Sequence, residues 1–388
     1  MRGKPMSKVH PAKKLLMIPG PTNVSDRVAQ AMLKPMISHR STDFTALLVS
    51  ITEKGRYLFQ TKEHIVTITA SGTGGVEAVA FALVRPGDNV VVPVYGEFGQ
   101  RLAEALELAG GNVVKVFAEP GNVPRLDEVK EAIRRTDNLK AVYTVHNETS
   151  TGCAIPYIQE LSKAAHEKGA FMVVDGVSSI GGYSVPVDAW GVDMCVTASQ
   201  KCIAAPPGLV ILSLNGKVAE FLKKTPPTVR YFDLGKHLDF LEHGYTPYTP
   251  AVSLYYALDE ALAELVEETL EKRVARHVRC ANQLYSAIES MGLEPFAEKS
   301  CRSNTVITVK CPKGVDDEKF REILDEEHGV VITGGFGPLK GKILRLGSMG
   351  NVTSANIQTT VDAMAKVFSK LGYQVDPKRV ADVAVRGP

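Results

Sequence analysis

The sequence predicts an α/β protein: a large domain on a mainly parallel sheet of the seven-stranded type, covered by helices, and then a smaller C-terminal α/β domain. Three observations predict it. From His64 to Leu214, short apolar runs rich in Val and Ile alternate with amphipathic stretches. That is the pattern of parallel strands covered by helices on both faces. A helical pattern then runs from near Ser253 towards Met291, with Leu254, Leu258, Leu262, Leu265 and Val266 among charges, and a helix so long commonly bridges domains. Beyond it, strands and helices return in a shorter series.

Taken in order, residues 1 to about 18 read as an extended basic arm containing Pro5 and Pro11. Pro19-Gly20-Pro21-Thr22-Asn23 is a rigid turn that cannot be helix interior. Ser25 or Asp26 caps a short helix through Met32. Ser38-His39-Arg40-Ser41 is a loop, and Asp43 opens a helix to about Phe59. His64 to Ala70 is a strand, Ser71-Gly72-Thr73-Gly74-Gly75 a turn, and Val76 to Val84 a helix. Asn89 to Val94, Val113 to Ala118, Ala141 to His146 and Phe171 to Val174 are strands. Helices at Gln100 to Leu108, Leu126 to Arg135 and Tyr157 to Lys168 separate them. Met194 to Thr197 and Gly208 to Leu214 complete the strand series. After the long helix come strand Thr305 to Lys310, helix Asp317 to Glu326, strands Val330 to Thr333 and Ile343 to Leu346, and helix Ser354 to Leu371. These readings place an arm at 1–18, a large domain at 19–268, a small domain at 269–376 and a tail at 377–388. No short-period repeat is visible.

Composition narrows the function classes. The 388 residues are 44% hydrophobic and 23% charged, with a net charge of +2, so nothing points to nucleic acid or a charged membrane surface. Leu15-Leu16-Met17-Ile18 is too short for a signal core or a membrane span. The six cysteines are scattered, without Cys-x-x-Cys or partnered His spacing, so neither a zinc site nor a disulfide framework is expected. Reduced thiols in the cytoplasm fit best.

In parallel α/β sheets ligands sit at the carboxyl ends of the strands. Ser71 to Gly75 follows the first of them and opens a helix, so backbone N–H groups and a hydroxyl can approach an anion; it is neither a P-loop nor the dinucleotide fingerprint. Tyr95-Gly96-Glu97-Phe98-Gly99-Gln100 offers an aromatic for a flat ring. Asn147-Glu148-Thr149-Ser150-Thr151-Gly152 offers hydroxyl donors. Asp175 ends an apolar strand and needs a cationic partner. Lys201, in Thr197-Ala198-Ser199-Gln200-Lys201, is the one lysine at these strand ends; held among apolar strands, it can lose its proton and attack an aldehyde. Taken singly, each has a plainer reading: a tight turn, a packed aromatic, a cap, a lysine reaching water. Jointly they meet the needs of pyridoxal phosphate: a phosphate cradle, a stacking platform, a carboxylate for the ring nitrogen and an amine for the aldehyde.

The stretches PGPTNVSDRV, SGTGGVEA, GEFGQR, HNETSTG, VVDGVSSIGG, SQKCIAAPPG, YTPAVSLY and GKILRLG, from Pro19 to Gly347, resemble the class V aminotransferases of the fold-type I pyridoxal-phosphate enzymes. The chain looks most like the alanine–glyoxylate and serine–pyruvate (serine–glyoxylate) aminotransferases. The resemblance implies that Lys201 carries the cofactor covalently and shuttles the proton between Cα and C4′, while Asp175 pairs with the pyridinium nitrogen. Phe98 would stack on the ring, Val177 would pack on its other face, and Thr149 would donate to the ring oxygen. Thr73, Gly74, Gly75 and Gln200 would bind the phosphate, with Gly75 contributing only backbone. Tyr248 and Thr249, with Tyr245 as a second candidate, would complete a neighbouring subunit's phosphate site. Arg345 would hold the substrate carboxylate beside the backbone of Gly20, and His39 and Arg40 would reach the partner's active site. A homodimer follows from such sharing. The implied reaction is ping-pong transamination from alanine or serine to glyoxylate or pyruvate. An aspartate donor, a desulfurase-like lyase using Cys301 or Cys311, and a non-catalytic relative are the alternatives.

Overall fold

The computed structural model describes residues 13–375. The chain opens with β1 (Leu15–Leu16), α1 (Asp26–Ala31) and α2 (Thr42–Phe59). The hydroxyls of Ser25 and Ser41 cap the two helices by accepting from the N–H of Val28 and Phe44. Strand and helix then alternate through β2 (His64–Thr69), α3 (Gly72–Leu83), β3 (Asn89–Val94), α4 (Glu97–Leu108), β4 (Asn112–Phe117), α5 (Leu126–Arg135) and β5 (Leu139–Val145). A small hairpin, β6 (Asn147–Glu148) and β7 (Cys153–Ala154), precedes α6 (Ile158–Glu167), β8 (Phe171–Asp175), the single turn α7 (Val187–Trp190), β9 (Met194–Ala198) and β10 (Leu209–Leu214). Helices α8 (Gly216–Lys224), α9 (Leu234–Glu242), α10 (Val252–Glu268) and α11 (Leu270–Ser290) follow. The last series is β11 (Val306–Lys310), α12 (Asp317–His328), β12 (Val330–Val331), β13 (Thr333–Gly334), β14 (Ile343–Gly347) and α13 (Ser354–Lys370).

The main sheet has seven strands in the order β2-β10-β9-β8-β5-β3-β4. Six of them point the same way, while β10 is antiparallel to both its neighbours, β9 and β2. Successive side chains alternate between two apolar cores. Cys195, Leu209 and Ile211 face the core shared with α2, α6 and α10. Val196, Val210 and Leu212 face the core shared with α3 and α4. A second sheet, β11-β14-β13, packs with α11, α12 and α13 around a third core.

Four expectations change. The long helix is two helices, because Thr269 adopts φ +68° and its hydroxyl accepts from the Lys272 N–H, starting α11 afresh. Helices α3 and α4 begin at Gly72 and Glu97 rather than at Val76 and Gln100, since their glycine-rich starts are already helical. Helices α8 and α9, which apolar periodicity does not announce, start at the side-chain caps Asn215 and Asp233. Part of the expected arm lies on its own chain: β1 pairs in parallel with β12, and Met17 exchanges bonds with Val331 and Gly347. The rest of the arm and the tail fall outside the described residues. Among those residues, no helix is long and apolar enough to cross a membrane.

Candidate active site

The carboxyl ends of the parallel strands open into a cavity of about 340 Å³. Thr73, Phe98, Thr149, Asp175, Val177, Gln200 and Lys201 all line it, with Asn147 and Ser178. The cavity continues between α3 and α4, past Val76, Arg101 and Glu104 to the exposed Leu108.

Lys201 stands just after β9 in a loop closed by the Ala204 N–H on the Lys201 carbonyl (3.0 Å). Its Nζ donates to the Pro19 carbonyl. Burial pulls the amine down to about 8; Cys202 and Asp175 oppose the shift and Arg345 adds to it. The turn predicted at Pro19–Asn23 is the strap over this lysine. Thr22 binds the Gln200 carbonyl through its N–H (3.1 Å) and the Lys201 carbonyl through its hydroxyl (3.1 Å). Gly20 has φ +105°, and a Cβ there would stand 2.7 Å from Lys201 Nζ, so only glycine fits beside the amine. Cys202 is buried behind the lysine, its thiol donating to the Ser178 carbonyl (3.7 Å).

Asp175 ends β8. Burial pushes its carboxyl up to about 6, against the Val177 N–H, which donates to Oδ1 at 2.9 Å. Nearby Glu148 pushes the same way as burial, and Lys201 opposes. The other carboxylate oxygen has no donor among the described residues. Gln200 Oε1 is buried and equally without a partner.

At the start of α3, the Gly74 N–H goes to Ser71 Oγ (3.2 Å) and the Gly75 N–H to the Ser71 carbonyl (3.1 Å). The N–H groups of Gly72 and Thr73 are the ones left for an anion. Gly75 is not in the cavity wall. A Cβ there would lie 2.9 Å from both Val196 Cγ2 and Val210 Cγ1, so the glycine lets α3 pack tightly on the sheet. Phe98 sits on the first turn of α4, half-buried, with the Arg101 guanidinium 5.2 Å from its ring and Phe336 edge-on at 6.3 Å. Arg345 is buried on β14. Its Nε donates to the Gly334 carbonyl (2.7 Å), its Nη1 to the Thr149 carbonyl (3.2 Å), and the Phe336 ring lies 4.1 Å away. Burial pulls it down to about 10, and Glu148 opposes.

The other expected residues lie away from this cavity within the chain. Arg40 donates to the Thr246 carbonyl (2.6 Å) between the rings of Phe240 and Tyr245. Tyr248 stacks on Tyr231 at 5.4 Å and donates to the Arg230 carbonyl. Thr249 is exposed, and His39 is half-buried in its loop. Sequence reasoning passed over Asn147 and Glu148, both buried. Asn147 donates to Ser178 Oγ (2.9 Å) and Thr305 Oγ1 (3.1 Å). The available signal was two strongly polar residues placed directly after an apolar strand.

Pyridoxal phosphate fits what these residues leave open. Its ring nitrogen would meet the free oxygen of Asp175, its phosphate the start of α3, and its aldehyde the desolvated amine. On the edge of a seven-stranded sheet of this order, that chemistry defines a pyridoxal-phosphate enzyme of fold type I. Known proteins agree. The family model for class V aminotransferases matches residues 19–343. An uncharacterized aminotransferase of Methanocaldococcus jannaschii is 40% identical over 370 residues, 95% of this chain and 96% of its own. The crystal structure of ureidoglycine–glyoxylate aminotransferase from Bacillus subtilis matches with a TM-score of 0.92 at 32% identity, over 98% of this chain and 99% of that one. That of alanine–glyoxylate aminotransferase from Nostoc sp. matches with a TM-score of 0.88 at 32% identity, over 95% and 98%. The chain belongs to the class V aminotransferase family, similar to its alanine–glyoxylate type, and is a pyridoxal-phosphate-dependent aminotransferase.

Proposed function

We propose that this enzyme moves the amino group of a small L-amino acid, alanine or serine, to glyoxylate or pyruvate in a ping-pong cycle centred on Lys201. The observation that carries the proposal is the amine itself. Burial holds it at about 8, so near neutral pH a usable share is unprotonated and can act as a base. The bound cofactor supplies the electron sink that lets an amino acid's Cα–H bond ionise.

Lys201 would be the covalent anchor, and its freed amine would take up and return the substrate's Cα proton. Asp175 keeps the ring nitrogen protonated. Phe98 and Val177, both in the cavity wall, would bound the ring of the cofactor, and the Thr149 hydroxyl would donate to its ring oxygen. Thr73 and Gln200 would hold the phosphate with the free N–H groups of Gly72 and Thr73, while the Gly74 N–H is held by Ser71 and Gly75 serves by letting the helix approach. Arg345 takes the substrate α-carboxylate as a bidentate pair, beside the backbone of Gly20. The small-donor assignment rests on likeness to the alanine–glyoxylate aminotransferases and on Phe336, which crowds the space beside Arg345.

Tyr248 and Thr249, or Tyr245 in their place, together with His39 and Arg40, serve a second copy's site in a homodimer. Their distance from the chain's own cavity supports this, as does the cavity's opening along α3 and α4. The enzyme works in the cytoplasm. Its large domain is 19–268 and its small domain 269–376, divided at the break before α11. Desulfuration has no support: Cys301 is buried and Cys311 donates to the Val315 carbonyl, and neither lines the cavity.

The test is a stopped-flow half-reaction against a panel of L-amino acids, with K201A as the inactive control. Alanine or serine should convert the bound cofactor to its amine form fastest. If aspartate or phosphoserine reacts faster than both, the donor assignment falls.

A further inference from the structure

Helix α4, which carries Phe98, has no cap of its own. Its N-cap is Gly96, with no side chain to offer, yet a helix start leaves N–H groups that need acceptors. Here the acceptors come from the hairpin tip after β5. The Glu97 N–H donates to Ser150 Oγ (2.9 Å), the Phe98 N–H to Glu148 Oε1 (3.3 Å) and the Gly99 N–H to Glu148 Oε2 (2.9 Å). Glu148 Oε1 also accepts from the N–H (2.9 Å) and the hydroxyl (2.6 Å) of Ser150. The carboxylate is fully buried, and both its oxygens are engaged. Gly96 permits this closeness, because a Cβ there would lie 2.4 Å from Glu148 Cγ.

The residue after Glu148 is Thr149, which lines the cavity and whose carbonyl holds Arg345 Nη1. Glu148, with Ser150 beside it, therefore joins the helix bearing the ring platform to the turn bearing the ring-oxygen donor and the support of the substrate arginine, and among the described residues it alone reaches the Phe98 and Gly99 N–H groups.

We propose that Glu148 is a positioning residue for the cofactor: it sets Phe98 at a fixed height over the ring relative to Thr149. The inference rests on Phe98 and Thr149 having the roles given above. A glutamine has the right shape and the wrong chemistry. Its single oxygen can take either the three donors at Oε1 or the one at Oε2, and its NH₂ then opposes an N–H.

The test is a double-mutant cycle read as the dissociation constant of pyridoxal phosphate from the apoenzyme, not as turnover. E148Q should weaken cofactor binding about tenfold in the wild-type background. It should have less than about a twofold effect on top of F98A, since the two then share one interaction. A residue that merely stabilised the fold would give the same factor in both backgrounds, and that result overturns the proposal. So does full cofactor affinity in E148Q while F98A weakens it. If F98A alone leaves the affinity unchanged, the assignment of Phe98 as platform fails, and the proposal with it. Should E148Q not fold, E148D replaces it in the same cycle, because it keeps the charge and withdraws it from Phe98 and Gly99.

Discussion

Asp175 is costly to the apoenzyme and useful only with a cation beside it, and the replacement D175N separates the two effects. Burial raises the carboxyl from its ordinary 3.8 to about 6, which corresponds to about 3 kcal/mol against the ionised form. The sign follows from proton binding. The folded chain holds this proton to higher pH than the unfolded chain does. The favourable contribution is therefore complete below about 3.8, declines as pH rises, and is gone above about 6. Asparagine keeps an acceptor for the Val177 N–H and does not ionise. Apo D175N should therefore be more stable than the apo wild type by up to about 3 kcal/mol at about pH 7.5, and the difference should vanish near pH 4. Urea unfolding of both apoproteins at the two pH values measures it. With pyridoxal phosphate bound the order should reverse at about pH 7.5, since the ring cation then pairs with Asp175 and not with asparagine. A D175N apoprotein less stable than wild type at that pH, or a difference unchanged by pH, would refute the argument.

Other outcomes follow from the same geometry. In the apoenzyme, a reagent that acylates unprotonated amines should label Lys201 with a midpoint of about 8 by mass spectrometry, and R345Q should move that midpoint upward by removing a charge that disfavours the ammonium; a midpoint matching surface lysines would contradict the burial argument. R345Q should raise the KM for the amino donor about 100-fold or more, and R345K should recover only part, because an ammonium cannot form the bidentate pair; an unchanged KM would remove Arg345 from the substrate site. G75A should lower stability by about 1–3 kcal/mol in chemical denaturation, as its methyl meets Val196 and Val210, and an undiminished midpoint would show that α3 can shift at no cost.

The parallel sheet was legible because buried strands and amphipathic helices leave local periodic traces, and Lys201 and Asp175 stand where those traces end. The antiparallel β10 was not distinguishable, since Leu209–Leu214 is apolar in either direction. Thr269 was hidden for a related reason: the apolar spacing continues across it, and only the backbone turns. Glu148 escaped notice because its partners, Phe98 and Gly99, lie about fifty residues earlier, and a single sequence carries no mark of that pairing. Gly75 was placed at the phosphate by the company it keeps, although its missing side chain faces the sheet.

The strap over Lys201 also bears on the order in which the enzyme is assembled. Leu15 to Thr22 are made long before β12 and β14, yet Leu15 and Leu16 pair with Val330 and Val331, and Met17 with Gly347. All strands of the main sheet have been made by Leu214, so that sheet is expected to form while the strap is still waiting for its anchor. A chain stopped short of Val330 should then stay open to protease near Leu15–Ile18 while its sheet resists. On this schedule the strap is made early and finds its place only after β12 and β14, and the lysine lacks its final surroundings until then.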